Sequence, residues 1–495
     1  MNLLQAPFSK VSTIHFIGVG GIGMSGLAAM FAKFGFKVQG SDIASNNSTK
    51  HLNKMGIHTF WGHDPKNIED ADIVVVSSAI KADNEEYKRA IELGLPIFKR
   101  AKMLAELMRF KWSIAVAGTH GKTTTTSLVS HILHFNNLDP TAIIGGIVNS
   151  WGQNSRFGES NWIIAESDES DGSFLDLPAT ISIITNIEEE HMDYYKNYEN
   201  LRDHFVRFVH NIPFYGFSVV CIDNQGVQDI LPHIRQRRLI TYGVSPQADY
   251  RVINIVYNNK GVHFDIECAY KDKERTIENI YLPMYGHHNV LNAVASIIVA
   301  DNIGIEMESI KNSLLAFQGI KRRFTNIGEK AGVKFIDDYA HHPSEIEAVI
   351  NGAKHITDNQ GKIISIVQPH RYSRLRDQFN NLCKCFNNSD HVIILDVYKA
   401  GEDKIEGFDS ETLVQGIKNY GHKHVEYLKN FDDLNKTIVE LHKKSPLDMV
   451  IFMGAGDITN IAQVVFNKIN FDEPALEPKI EDKQVEIKYE NMKSH

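Results

Sequence analysis

Residues 13 to 110 alternate short apolar runs with helix-like stretches. Ile14-His-Phe-Ile-Gly18, Phe36-Lys-Val-Gln-Gly40 and Ile73-Val-Val-Val-Ser77 are predicted strands with helical segments between them. Short β-branched runs separated by helices predict a doubly wound α/β unit. A second unit opens at Trp112-Ser-Ile-Ala-Val-Ala117 and carries further strands at Trp162-Ile-Ile-Ala165 and Thr180-Ile-Ser-Ile-Ile184. Runs apolar on both faces belong in a parallel sheet covered by helices. Between residues 250 and 283 the pattern changes to alternation, as in Gly261-Val-His-Phe-Asp-Ile-Glu267, which predicts antiparallel strands appended to that sheet. A helix over Val290 to Asn302 closes the unit. A third α/β pattern starts near residue 333, with strands at Val333 to Ile336, Ile363 to Val367, Val392 to Leu395 and Met449 to Phe452, and ends near residue 468.

The expected class is therefore α/β in three domains: a Rossmann-like unit over residues 1–111, a P-loop-type unit with a mainly parallel sheet plus antiparallel strands over 112–325, and a second Rossmann-like unit over 326–469. A chain of 495 residues fits about three domains. The stretch 470–495 is dense in charge and poor in periodic apolar positions, and is read as unstructured or loosely helical. No internal repeat of fixed period is found.

A net charge of −9 offers no basic field for nucleic acid, and no lysine-arginine block suggests a membrane surface. No run approaches the roughly 18 apolar residues that span a bilayer, and Met1 to Val11 lacks a basic-then-apolar leader. Cysteines at 221, 268, 383 and 385 are too sparse for a disulfide framework. Cys383-Lys-Cys385 has no second pair to complete a zinc site. The expectation is a cytoplasmic protein, a monomer or weak homodimer, whose partners are small molecules.

The chemistry begins at Ala115-Val-Ala-Gly-Thr-His-Gly-Lys-Thr-Thr-Thr-Thr-Ser127. Gly118 and Gly121 permit a close turn whose N–H groups point at phosphate oxygens ahead of a helix. Lys122 then neutralises the β- and γ-phosphates, and Thr123 is placed to ligate Mg²⁺. The run departs from G-x-x-x-x-G-K-[ST], because Val116 stands where the first glycine belongs.

Gly18-Val-Gly-Gly-Ile-Gly23 follows a strand and has Asp42 nineteen residues beyond it, the dinucleotide fingerprint in its usual setting. A glycine turn with helix N–H groups holds any diphosphate, so a UDP-sugar fits Gly20, Gly21, Gly23 and Asp42 as well as NAD does. Ala165-Glu-Ser-Asp-Glu-Ser-Asp171 follows a strand and puts Glu166 within reach of Mg²⁺ beside the phosphates. In Thr185-Asn-Ile-Glu-Glu-Glu-His-Met-Asp193, His191 is either a second cation's ligand or a hydrogen-bonded structural histidine. Asn289 and Asn292 share one face of a helix start, where their amides either bind a base or sugar or serve the cap. Arg322 and Arg323 offer forks for phosphate. Two loops at strand ends in the third unit, Asp337-Asp-Tyr-Ala-His-His-Pro343 and Gln368-Pro-His-Arg-Tyr-Ser-Arg374, lie where open α/β sheets bind ligands. Arg371 and Arg374 there are suited to clamp a carboxylate or phosphate.

Together and in this order, these motifs resemble the peptidoglycan (Mur) amino-acid ligases over about residues 13 to 468. The resemblance rests on Gly18-Val-Gly-Gly-Ile-Gly-Met-Ser-Gly26, Gly118-Thr-His-Gly-Lys-Thr-Thr124, Ala165 to Asp171, His191-Met-Asp193, His288-Asn289, Arg322-Arg-Phe324, Asp337-Asp-Tyr339, His341-His-Pro343 and Gln368-Pro-His-Arg371. It implies a first domain for the UDP-sugar, a second for ATP and Mg²⁺, and a third that closes over both. It implies that Gly118, Thr119, His120, Gly121, Lys122, Thr123 and Thr124 bind ATP, with Asn289, Arg323 and Asp338. It further implies Thr123 and Glu166 as ligands of one Mg²⁺ and His191 as a ligand of another. By the same resemblance Tyr339, His341, Arg371 and Arg374 lie near the substrates.

The implied reaction is ATP-dependent ligation of L-alanine to the lactyl carboxylate of UDP-N-acetylmuramate through an acyl phosphate, with Lys122, Glu166, His191, Arg371 and Arg374 serving the chemistry. The opening glycine run favours alanine addition over attachment of a recycled tripeptide. Glu190 departs from the family's usual aspartate. Two other readings stand beside it: an NAD oxidoreductase, which leaves the Lys122 loop without a task, and a regulator that binds both nucleotides without turnover.

Overall fold

The computed structural model describes residues 11–471 except 78, 110, 259, 271–272, 358–360 and 431–432. The expectations for a leader at the amino end and for the charged stretch beyond residue 471 lie outside the described residues.

Each of the three apolar patterns builds its own sheet. The first has five parallel strands in the order His58–Trp61, Lys37–Asp42, Thr13–Ile17, Ile73–Val76, Ile97–Lys99. Strand Thr13–Ile17 is buried throughout, which is why its sequence does not alternate. The order reverses on either side of this strand, and helix Ile22–Lys33 begins at that switch point.

The second sheet has ten strands. Trp112–Ala117 lies between Trp162–Glu166 and Ile181–Ile184, all parallel. Tyr250–Asn258, Gly261–Tyr270 and Lys273–Leu282 add the antiparallel pairs expected from the alternating segment. A hairpin of Thr141–Val148 with Gln153–Arg156 finishes the opposite edge. It does not read as strand in the sequence, because Gly145 and Gly146 interrupt the apolar run. The closing helix spans His287–Asn302, and a further helix, Met307–Leu315, follows it.

The third sheet has six strands, parallel except for the edge strand Thr325–Lys330. No helix among the described residues is long and apolar enough to cross a membrane.

Helix Lys122–Phe135 lies beneath helix His287–Asn302 and is buried along Thr123 to Leu133. Leu128, Val129, Ile132 and Leu133 belong to the same buried cluster as Val290, Ala293, Val294 and Ile297. Burial of each larger side chain stabilises by about 1.5–3 kcal/mol. Its hydroxyl-rich first half tolerates burial because the hydroxyls bond back along the helix. Thr126 Oγ1 donates to the Lys122 carbonyl (2.8 Å), Ser127 Oγ to Thr123 (2.7 Å) and Ser130 Oγ to Thr126 (2.7 Å).

Candidate active site

The chain leaves strand Trp112–Ala117 at Gly118 (φ +132°) and enters the helix through Gly121 (φ +83°). A Cβ at 118 would stand 2.2 Å from Thr185 Oγ1, and one at 121 would stand 2.6 Å from Asn292 Oδ1. Only glycine fits at either point. The loop is fastened to the next strand end by Asn186. Thr119 N–H donates to the Asn186 carbonyl (3.1 Å), His120 N–H to Asn186 Oδ1 (2.8 Å), and Asn186 Nδ2 to the His120 carbonyl (3.1 Å). A phosphate loop needs a fixed backbone, and these three bonds fix it.

Lys122 Nζ donates to the carbonyls of Gly118 (2.6 Å) and Thr119 (3.1 Å) and to Glu169 Oε1 (2.8 Å). Burial works against its charge, but Glu169, and after it Glu166 and Asp168, hold the ammonium above its ordinary range. Burial pushes the Glu169 carboxyl up to about 7 despite the lysine. Thr123 Oγ1 donates to both oxygens of Glu166 (3.0 and 3.1 Å), and Gly145 N–H to Glu166 Oε2 (2.6 Å). Hydroxyl and carboxylate thus meet at the residue next to Lys122.

His191 adopts a left-handed backbone (φ +58°) ahead of a short helix. Ligand atoms of His191, Glu169 and Glu190 lie within 4.8 Å of one another. Glu190 also receives Arg374 Nη2 at 3.1 Å from the third unit. Burial opposes its charge, while Arg374 and the nearby imidazoles hold its carboxyl low.

Between the second and third sheets lies a cleft with about 960 Å³ of space free of protein atoms, lined among others by Gly121, Thr124, Asn289, Asn292, Arg323 and Asp338. Asn289 and Asn292 do not cap their helix. Asn289 Nδ2 donates to the Tyr285 carbonyl (2.7 Å) and Asn292 Nδ2 to Asn289 Oδ1 (3.3 Å). Of the two adjacent arginines, Arg322 is engaged by the carbonyls of Gly454 (2.6 Å) and Gly456 (3.2 Å), whereas Arg323 faces the cleft with its guanidinium 5.4 Å from the Tyr339 ring. Asp338 accepts from Phe324 N–H and Ala340 N–H, both at 2.7 Å. Burial raises it to about 6 against the pull of Arg323. His288 is pushed down to about 4 by burial and then by Arg323, so it enters the cleft neutral.

The remaining residues of the third unit are less concentrated. His341 Nδ1 bonds the Tyr339 carbonyl at 3.0 Å. Arg371, with positive φ, is half-exposed and 4.0 Å from Glu402. Gly20, Gly21 and Gly23 stand apart from the cleft, in the first unit. Gly20 N–H donates to Asp42 Oδ2 (2.8 Å), so the carboxylate holds the glycine turn itself. Helix Ile22–Lys33 begins there without a side-chain cap. Arg100 packs against Gly23, and Asp168 is held low, against desolvation, by the Ser170 N–H and by the charges of Lys122 and Arg100. The first unit therefore faces the acidic loop of the second.

Several residues of this site were not singled out from the sequence: Glu169, Asn186, Glu188, Ser344 and Glu345. Glu169 lay inside the acidic cluster, and Glu345 carried one local signal, three places beyond His342 as a capping pair.

The comparisons with known proteins agree on one family. Three family models match in series: "Mur ligase family, catalytic domain" over residues 13–112, "Mur ligase middle domain" over 116–300 and "Mur ligase, glutamate ligase domain" over 322–456. A UDP-N-acetylmuramate–L-alanine ligase of Rhodospirillum rubrum is 49% identical over 457 residues, covering 92% of this chain and 94% of that one. One from Methylorubrum extorquens is 50% identical, covering 92% and 96%. Among solved structures, the UDP-N-acetylmuramate-alanine ligase of Thermotoga maritima superposes with a TM-score of 0.74 at 29% identity, covering 92% and 98%. A murein peptide ligase of Psychrobacter arcticus shares the fold, with a TM-score of 0.65 at 24% identity over 94% and 100%.

Proposed function

The chain belongs to the Mur ligase family, and on that premise we propose that it joins L-alanine to the lactyl carboxylate of UDP-N-acetylmuramate, converting ATP to ADP and phosphate, as a step of peptidoglycan precursor synthesis. The observation that carries the reading is that Gly121 and Thr124 of the phosphate loop line one interdomain cleft with Asn289, Arg323 and Asp338, while Thr123 of the same loop meets Glu166.

A free carboxylate has no usable leaving group, so an oxygen of the lactyl carboxylate attacks the γ-phosphorus and displaces ADP. The amine of alanine, having lost a proton, attacks the resulting acyl phosphate, and the tetrahedral intermediate collapses with loss of phosphate and formation of the amide. The Gly118–Gly121 backbone and the Lys122 ammonium hold the β- and γ-phosphates, and the lysine leaves Glu169 to do so. Arg323 at the end of the second unit and Arg374 from the third supply positive charge, and fixed groups of this kind stabilise charge as it develops. Asn289 and Asp338 hold the nucleoside end. The glycine turn with Asp42 holds the UDP end, and Arg100 points from it towards the acidic loop. Tyr339, His341 and Arg371 border the place for the amino acid.

The donor set suits Mg²⁺: a hydroxyl and a carboxylate at Thr123 and Glu166, and carboxylates beside one imidazole at Glu169, Glu190 and His191. When bound, Mg²⁺ supplies neutralisation of the phosphoryl oxygens. Four free, buried cysteines fit a reducing cytoplasm, where the enzyme acts as a monomer or weak homodimer.

The test is phosphate release with ATP, Mg²⁺ and UDP-N-acetylmuramate across amino acids. Alanine is expected to give the fastest release.

A further inference from the structure

His120, inside the phosphate loop, reaches across the junction between the second and third units. Its Nδ1 lies 3.1 Å from Glu345 Oε1, and its Nε2 lies 3.1 Å from Ser344 Oγ and 3.4 Å from Glu188 Oε2. The side chain is only 15% exposed. Burial opposes its charge, but the two carboxylates outweigh burial and raise it to about 10. It is therefore an imidazolium, and both ring N–H groups donate.

That assignment fixes the other protons. Ser344 Oγ receives His120 Nε2–H and donates to Glu188 Oε2 at 2.9 Å. Its remaining lone pair meets His342 Nδ1 at 2.7 Å. His342 is pushed down to about 4 by burial and by His120, so it is neutral. His120, Glu188 and His342 have ligand atoms within 4.8 Å of one another, a grouping that suits a cation, but the Ser344 hydroxyl stands among them and bonds to each.

Glu345 divides its two oxygens. It is the third residue of helix Pro343–Ile356, whose N-cap is His342. Oε2 accepts the N–H groups of His341 (3.1 Å) and His342 (3.3 Å), one half of a capping box. Oε1 is left for His120. The backbone of His120 is meanwhile held by Asn186, and Glu188 N–H donates to Thr119 Oγ1 at 2.9 Å. The phosphate loop is thus set from both sides, by its own unit and by the third.

We propose that Glu345 and Ser344 are positioning residues for phosphoryl transfer: by holding both ring nitrogens of His120 they bring the phosphate loop into its working arrangement only when the third unit is docked. The inference rests on the ligase reading above and couples turnover to docking.

Glu345→Gln separates this role from capping, because glutamine serves at the third helical position as glutamate does. In the full chain, kcat for phosphate release should fall about tenfold or more, as small misplacements of reacting groups do. The KM values for ATP, UDP-N-acetylmuramate and L-alanine should stay within about threefold, since uniform binding is untouched. His120→Ala with Glu345→Gln should lose no more than His120→Ala alone, since the two share one interaction. If Glu345→Gln does not fold, Ser344→Ala carries the same kinetic expectation. A kcat within about twofold of wild type, multiplicative losses in the double variant, or a lowered Tm with unchanged kcat per folded molecule overturns the inference alone. An inactive wild-type chain overturns the ligase reading and this inference with it.

Discussion

The ammonium of Lys122 lies 2.8 Å from the carboxylate of Glu169, and the same ammonium donates to two carbonyls of its own loop. The lysine is folded back on the phosphate cradle, with its charge balanced by an acid only 2% exposed. Entry of the β- and γ-phosphates replaces one anionic partner with another.

Removal of this charge should therefore affect the chemical step above all. Lys122→Ala is expected to reduce ATP-dependent phosphate release by about 10²–10³-fold, the usual effect of deleting one preorganised stabiliser of developing charge. Near-normal release from the folded variant contradicts the role.

Glu166 meets Thr123 through oxygen donors suited to Mg²⁺. Glu166→Gln should raise the Mg²⁺ concentration for half-maximal activity by about tenfold or more, because one charged ligand is lost. An unchanged Mg²⁺ titration places the ion elsewhere.

Gly118 has φ +132° and no room for a Cβ beside Thr185. Gly118→Ala should lower stability by roughly 2 kcal/mol or more through backbone strain and displacement of the loop, and weaken ATP binding. Thermal unfolding and nucleotide titration on the same preparation check both.

Asp42 braces the glycine turn of the first unit, away from the cleft. Asp42→Ala should raise the KM for UDP-N-acetylmuramate by about tenfold while leaving the KM for ATP within about twofold, since it alters binding at one site only. Equal effects on both would remove the assignment of the first unit to the UDP end.

His120 titrates near 10 in the fold against an ordinary 6.5. Its protonation therefore stabilises the folded chain fully below pH 6.5, and this contribution is lost as pH rises towards 10. The Tm gap between wild type and Glu345→Gln should narrow over that window. A gap that widens with pH reverses the assignment.

Much of the fold was legible because it is written in local pattern. The uninterrupted run Trp112 to Ala117 ends in glycines and a lysine, and the structure makes it a central parallel strand feeding a helix. The alternation at Gly261 to Glu267 likewise gives antiparallel pairs. The hairpin at Thr141–Val148 was hidden by its two glycines, whose lack of side chains leaves room for Glu166 and Thr123. Within the acidic cluster, spacing alone did not separate Glu169 from Asp168 or Asp171, since burial and the turn at Gly172 (φ +71°) decide which acid meets Lys122. The contact of His120 with Glu345 spans 225 residues, and no periodicity relates positions so distant. What stayed out of reach was the pairing of charges across units.

The most direct measurement of the central claim is steady-state phosphate release by the purified chain with ATP, Mg²⁺ and UDP-N-acetylmuramate, scanned over amino acids and the diaminopimelate-containing tripeptide. The account predicts release that requires all three substrates, is fastest with L-alanine, and yields one amide per phosphate. Release without UDP-N-acetylmuramate, or fastest with the tripeptide, contradicts it.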